Sequence, residues 1–169
     1  MAGLTPEFAV GLRDTMLQGL AREMEATRKV LAAVPEGKRD YRPDPKARTA
    51  WELAWHLAST DVQMLDEIAD HKFAMEPRFK AEPASIAALV KWYDDNFKRS
   101  MDRVRAMSAD DLMKPVDFYG AFNHPVVFYL SFVNNHSIHH RAQLSVYLRP
   151  MGSKVPSIYG GSADEPWTG

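Results

Sequence analysis

Apolar residues recur along this chain every three to four positions in four long runs, which predicts helices and leaves strands little room. In the first run Phe8, Leu12, Met16, Leu20, Met24, Leu31 and Val34 are separated by charged residues. Thr5 stands where an N-cap belongs, Pro6 suits the first turn, and Pro35-Glu36-Gly37 ends the run. The second run contains Trp51, Leu53, Leu57, Val62, Leu65 and Ile68, and Thr49-Ala50-Trp51-Glu52 ahead of it has the form of a capping box. It is expected to fray near residues 70–73. The third begins at Ser85, with Ile86, Leu89, Val90, Tyr93, Phe97, Met101, Val104 and Met107 inward and Asp94, Asp95, Lys98, Arg99, Asp102 and Arg103 on a solvated face. A short turn from Ser108 stops at Pro115.

The fourth run is the most informative. Asn123 or His124 reads as its cap, Pro125 as its first position, and Arg149, Pro150 and Gly152 as its close. At about 100° per residue, Tyr129, Phe132, Val133, His136, Gln143, Leu144 and Tyr147 share one stripe, with Arg141 and Ser145 opposite. His140 falls roughly 20–30° from the centre of that stripe and His139 roughly 80° away. His136 and His140 are therefore expected to face inward as a pair, with His139 at a boundary or in solvent. An i,i+4 pair of inward imidazoles is half of a metal site, with satisfied core histidines as the alternative.

These patterns predict an all-α fold: a four-helix bundle, antiparallel or crossover, with long loops, negligible β content and a non-regular C-terminal tail. Residues 38–48 and 75–83 carry the prolines of connecting loops. In the tail, Ile158 and Tyr159 are expected to fold back onto the bundle and residues 164–169 to be disordered. With 169 residues and no internal repeat, one domain over 1–169 is expected.

Composition narrows the chemistry. A net charge of −1 gives no electrostatic case for nucleic acid as a partner. Cysteine is absent, which removes disulfides, thiolate ligands and a cysteine nucleophile; any thiol must arrive with a substrate. There is no basic, apolar leader and no run of about 18 apolar residues, so no membrane association is expected and the cytoplasm is the default location.

His56, in the second run, is flanked by Glu52, Leu53, Ser59 and Thr60 beside Trp51 and Trp55, and the spacing permits but does not require it to approach His136 and His140. Three imidazoles would hold a divalent ion at about 2.0–2.1 Å with a position left for water or substrate. Gln143 could bond a ligating imidazole or a bound water. Glu52 could act as a general base, although its cap role comes first. Tyr129 and Tyr147 could line the pocket or simply pack. His71, at a helix end, and His124, in a cap, are read as structural.

The run His136-Ser137-Ile138-His139-His140-Arg141-Ala142-Gln143-Leu144, followed by Gly152, Pro156 and Ile158-Tyr159-Gly160, resembles the C-terminal signature of the DinB superfamily. Trp51-Glu52-Leu53-Ala54-Trp55-His56 is similar to that family's second-helix segment. Ala142 departs from the glycine that many members have there. The resemblance implies a four-helix bundle, often dimeric, with a divalent metal on His56, His136 and His140. Zinc or nickel suits such a site, and iron and manganese are compatible with it. The resemblance also implies a thiol S-transferase, in which a low-molecular-weight thiol is bound as thiolate and attacks an electrophilic carbon of a small-molecule substrate. A metal-dependent hydrolase and a non-catalytic, stress-associated metal-binding bundle are the alternatives. Catalytic residues are not assigned by it; Glu52, Gln143 and Tyr147 are the candidates.

Overall fold

A computed structural model describes residues 3–167. Four long helices carry the fold: α1 (Pro6–Ala32), α2 (Ala50–Asp70), α3 (Ile86–Arg105) and, after a short α4 (Ala109–Met113) and a hairpin, α5 (Leu130–Leu148). Their starts are written in the sequence. The Thr5 hydroxyl accepts from Phe8 N–H, the Ser85 hydroxyl from Ala88 N–H, and Thr49/Glu52 and Ser108/Asp111 form complete capping boxes. His71 closes α2 in the left-handed region at φ 53°, and Gly152 does the same after α5 at φ 78°.

α1 packs on α3 and α5, and α2 packs on the same two helices. The ring order α1–α3–α2–α5 puts α1 and α2, consecutive in sequence, on a diagonal, so the connection between them crosses over the bundle. The core at their centre includes Leu20 and Leu31 of α1, Leu57 and Leu65 of α2, Tyr93 and Phe97 of α3, and Val133 and Leu144 of α5, each at most 1% exposed.

The start of α5 differs from expectation. Pro125 does not open the helix: it ends strand β2 (Phe122–Pro125), which pairs antiparallel with β1 (Pro115–Phe118), and a 3-10 turn, Val126–Tyr129, leads into α5. Tyr119 and Gly120, at φ 55° and 75°, make the primed turn that matches hairpin twist, and Asp117 accepts from Gly120 N–H at 2.9 Å. Buried Tyr129 fastens the hairpin: its hydroxyl donates to Val116 C=O at 2.7 Å and accepts from His124 N–H at 3.0 Å. His124 is thus a strand residue stacked beside Phe122, not a cap. The two four-residue strands leave the protein all-α in class.

Arg141 also departs from expectation. It is 2% exposed and points to α1, where its guanidinium bonds Glu23 C=O at 3.0 Å and the Glu23 carboxylate at 2.6 Å. α5 has two buried faces: His136 and His140 turn to α2, and Ser137 and Arg141 turn to α1. The tail completes this contact, since the Tyr159 hydroxyl donates to Glu23 at 2.6 Å and receives an Arg141 N–H. Ile158 packs on the core as expected, whereas the Tyr159 side chain is largely exposed and docks by its hydroxyl. Residues 164 and 165 are held, against the expectation of disorder. Asp164 accepts from Arg149 at 3.0 Å and Val155 N–H at 2.9 Å, and Glu165 from Ser157 N–H at 2.8 Å. Thr168 and Gly169 lie outside the described residues.

Candidate metal centre

Where α2 meets α5, three half-buried imidazoles converge. His56 Nε2 lies 3.1 Å from His140 Nε2 and 3.3 Å from His136 Nε2. One nitrogen from each ring falls within 4.8 Å of the others, and His56, His136 and His140 form a group of the size that holds a metal ion. A cation about 2.0–2.1 Å from each nitrogen separates them by about 3.3 Å at tetrahedral angles and about 2.9 Å at right angles. The observed spacings fall in that range.

The far side of each ring explains why the Nε2 atoms turn inward. His136 Nδ1 is 2.7 Å from Asp61 Oδ1, His140 Nδ1 is 2.7 Å from Gln143 Oε1, and His56 Nδ1 is 3.3 Å from Thr60 Oγ1. A proton on every Nδ1 satisfies all three contacts and leaves three bare Nε2 lone pairs facing one another. Lone pairs this close repel without a cation between them. Burial, the nearby Arg48 charge and the neighbouring imidazoles lower the His56 pKa to about 3. Burial likewise lowers His140 to about 4, although Gln143 opposes the shift. Both rings are thereby kept in the neutral form that a metal requires. The donor set fits a divalent ion.

Asp61 is the residue that sequence reasoning missed. It is 0% exposed, and its second oxygen accepts from the Tyr93 hydroxyl at 3.3 Å. Burial raises its pKa, an effect partly offset by the His136 hydrogen bond. A signal was present: position 61 lies one turn from both Leu57 and Leu65, which puts a carboxylate in the middle of the apolar face of α2.

The other candidates separate. Gln143 reaches His140, as its spacing allowed. Glu52 is in its capping box, with Oε2 2.7 Å from Thr49 N–H. That bond lowers its pKa, which makes it a weak base, although it does line the cleft beside His56. Tyr147 packs edge-on against Tyr41, and its hydroxyl donates to Arg48 C=O at 3.4 Å. Tyr129 belongs to the hairpin. His139 is exposed, and His71 donates from Nε2 to Asp111 C=O at 2.9 Å.

One opening reaches His56 and a second reaches Gln143, behind His140. A cleft of about 420 Å³ runs along α2 under the 74–82 segment, and His56, Thr60, Trp55 and Phe79 form part of its wall. A shallower groove of about 630 Å³ lies over Lys46, Arg48, Gln143 and Tyr147. No helix among the described residues is long and apolar enough to cross a membrane.

Comparison with known proteins bears on the family and the fold. The model of the DinB superfamily matches residues 20–144. Over 153 residues the chain is 24% identical to the uncharacterized protein YrdA of Bacillus subtilis, with 90% of each covered. A crystal structure of a DinB-like protein from Bacillus cereus superposes with a TM-score of 0.73 at 24% identity, covering 86% of this chain and 97% of that one. The DinB-like protein YjoA of B. subtilis gives 0.71 at 17% identity, covering 84% and 96%. Both share the fold.

Proposed function

This chain belongs to the DinB superfamily, and from that premise we propose that it is a metal-dependent enzyme, a transferase joining a low-molecular-weight thiol to an electrophilic carbon. The observation that carries the reading is the inward convergence of three imidazoles, each fixed from behind, with three and not four protein donors in the group among the described residues. His56, His136 and His140 would hold the ion, zinc or nickel by preference and iron or manganese as alternatives. When bound there, a divalent cation supplies Lewis acidity, lowering the pKa of a thiol or water that approaches it toward neutrality.

The chain's own residues set up the rest. Asp61, Thr60 and Gln143 hold the rings in one tautomer and one orientation, so the site is formed before any substrate arrives. Trp55 and Phe79 each pack edge-on against Trp92 and give the cleft an apolar wall that excludes water from one side. Transfer makes one C–S bond and breaks the bond from that carbon to a leaving group, which departs with its electron pair. The thiol proton passes to solvent. The reading includes a single domain acting as a homodimer in the cytoplasm, and sedimentation at micromolar concentration tests the dimer.

The deciding experiment is metal analysis of the purified protein followed by a thiol-consumption screen with glutathione, bacillithiol and mycothiol against varied electrophiles. Consumption that depends on metal and on His140 is the expected result. Hydrolysis of esters or amides with no thiol consumed would replace the transferase with a hydrolase. Neither activity would leave a metal-binding bundle without catalysis.

A further inference from the structure

The cleft at His56 and the groove at Gln143 carry opposite charge. The cleft along α2 is lined by Glu52, Glu67 and Glu82 and, among the described residues, by no lysine or arginine. Its carboxylates bond mainly to neutral donors, which orient them without cancelling their charge. Glu67 accepts from Gln63 at 2.9 Å, Ala74 N–H at 3.1 Å and the Tyr119 hydroxyl at 3.3 Å, and Glu82 accepts from the Trp51 indole at 2.5 Å. Among the described residues, Arg42 comes within ion-pair reach of Glu52 at 3.9 Å, and the Arg78 charge reaches Glu67 without a direct pair. Glu67 is 4% exposed and follows His56 by 11 residues on α2, about 16 Å along the helix axis. The cleft is therefore long, apolar through Met64 and Met75, and acidic at both ends, with Glu52 and Glu82 near Trp51 and Glu67 at the other.

The groove at Gln143 is lined by Lys46 and Arg48 and, among the described residues, by no carboxylate. Arg48 is exposed and makes no ion pair among the described residues, yet its charge reaches both His56 and His140. Gln143, which holds His140, forms part of the same wall. An anionic molecule in the cleft would face three carboxylates, whereas the groove offers it two cations.

We propose that the centre receives its two substrates by way of these two openings. The carboxylate-bearing thiol sits over Lys46 and Arg48. The acceptor is an elongated neutral or cationic molecule that lies in the cleft, with its apolar body against Trp55 and Phe79 and its donor end toward Glu82. This assignment rests on the transferase reading, deepens it to a class for each substrate, and suits a cleft of small-molecule size.

The test uses metal-loaded protein and three probes in calorimetric titrations: glutathione, its uncharged-carboxyl diethyl ester, and tryptamine as a cationic aromatic. Arg48→Gln is expected to weaken glutathione about three- to tenfold while leaving the ester unchanged, the range of one partly screened charge. Glu82→Gln, which keeps an acceptor for the Trp51 indole, is expected to weaken tryptamine by a similar factor and leave glutathione unchanged. The glutathione-to-ester ratio reads charge alone, so damage to the fold would move both probes together. An unchanged ratio in Arg48→Gln, or tighter glutathione binding in Glu82→Gln, would put the thiol in the cleft and overturn the assignment. Wild-type protein that ignores glutathione but binds tryptamine through Glu82 would refute the transferase reading while the cleft's preference stands.

Discussion

Replacing Asp61 separates what holds the site from what holds the fold. The Asp61 carboxylate is fully enclosed, 2.7 Å from His136 Nδ1 and 3.3 Å from the Tyr93 hydroxyl. Asp61→Asn keeps an oxygen for the His136 N–H, and its amide can donate to the Tyr93 hydroxyl, but the negative charge is lost. A carboxylate behind a ligating imidazole raises the ring's basicity, and losing such a partner costs about 10- to 100-fold in metal affinity, or about 1.4–2.7 kcal/mol. The metal-free fold should respond in the other direction. Burial already disfavours the Asp61 anion, and the neutral amide avoids that penalty. Zinc affinity by chelator competition should therefore fall while the melting temperature of the metal-free protein holds or rises. Asp61→Ala is the contrasting change: it strands two buried polar groups at about 1–3 kcal/mol each and should lower both quantities. Unaltered zinc affinity in the Asn variant, or a metal-free fold weakened as much as its affinity, would refute the positioning role.

His140→Ala should abolish stoichiometric metal and His139→Ala should leave it, because only the former turns its Nε2 to the shared point; equal metal content in both would show the facing to be wrong. In the metal-free protein His56 and His140 titrate at about 3 and about 4, below the 6.5 of an unfolded histidine. The unfolded chain then takes up protons that the folded one refuses, so stability should fall as pH drops from 6.5 toward 4. Melting temperatures across that window check the sign, and His56→Gln should flatten the slope. Arg141→Met removes one partner of a buried pair and should cost about 3–5 kcal/mol; limited proteolysis should then cut the tail near Tyr159 before the bundle.

The helices were legible because their ends carry local chemistry. Thr5, Thr49, Ser85 and Ser108 each bond an amide three residues ahead, a signal that tertiary context does not alter. The histidine pair was legible for a similar reason, since i,i+4 spacing fixes a shared face. What lay hidden depends on packing against distant segments. A single-stripe reading of α5 placed Arg141 outside, because it assumed one buried face; contact with α1 as well as α2 gives the helix two. Pro125 has the local look of a helix start. However, the pull of Val116 and Tyr129 on the preceding residues made a hairpin instead, and no periodicity in 115–125 announces it. Asp61 was legible only as an anomaly in an apolar stripe, and its partner lies 75 residues away.

The central claim is that three imidazoles from α2 and α5 hold one cation with a face left open. X-ray absorption at the zinc edge, on protein equilibrated with zinc and freed of excess, tests it most directly. The expected spectrum shows about three imidazole nitrogens at about 2.0–2.1 Å plus an exchangeable light-atom ligand, lost in His140→Ala. Protein that retains no zinc, or a shell closed by a fourth side chain that solvent and thiols cannot displace, would contradict it.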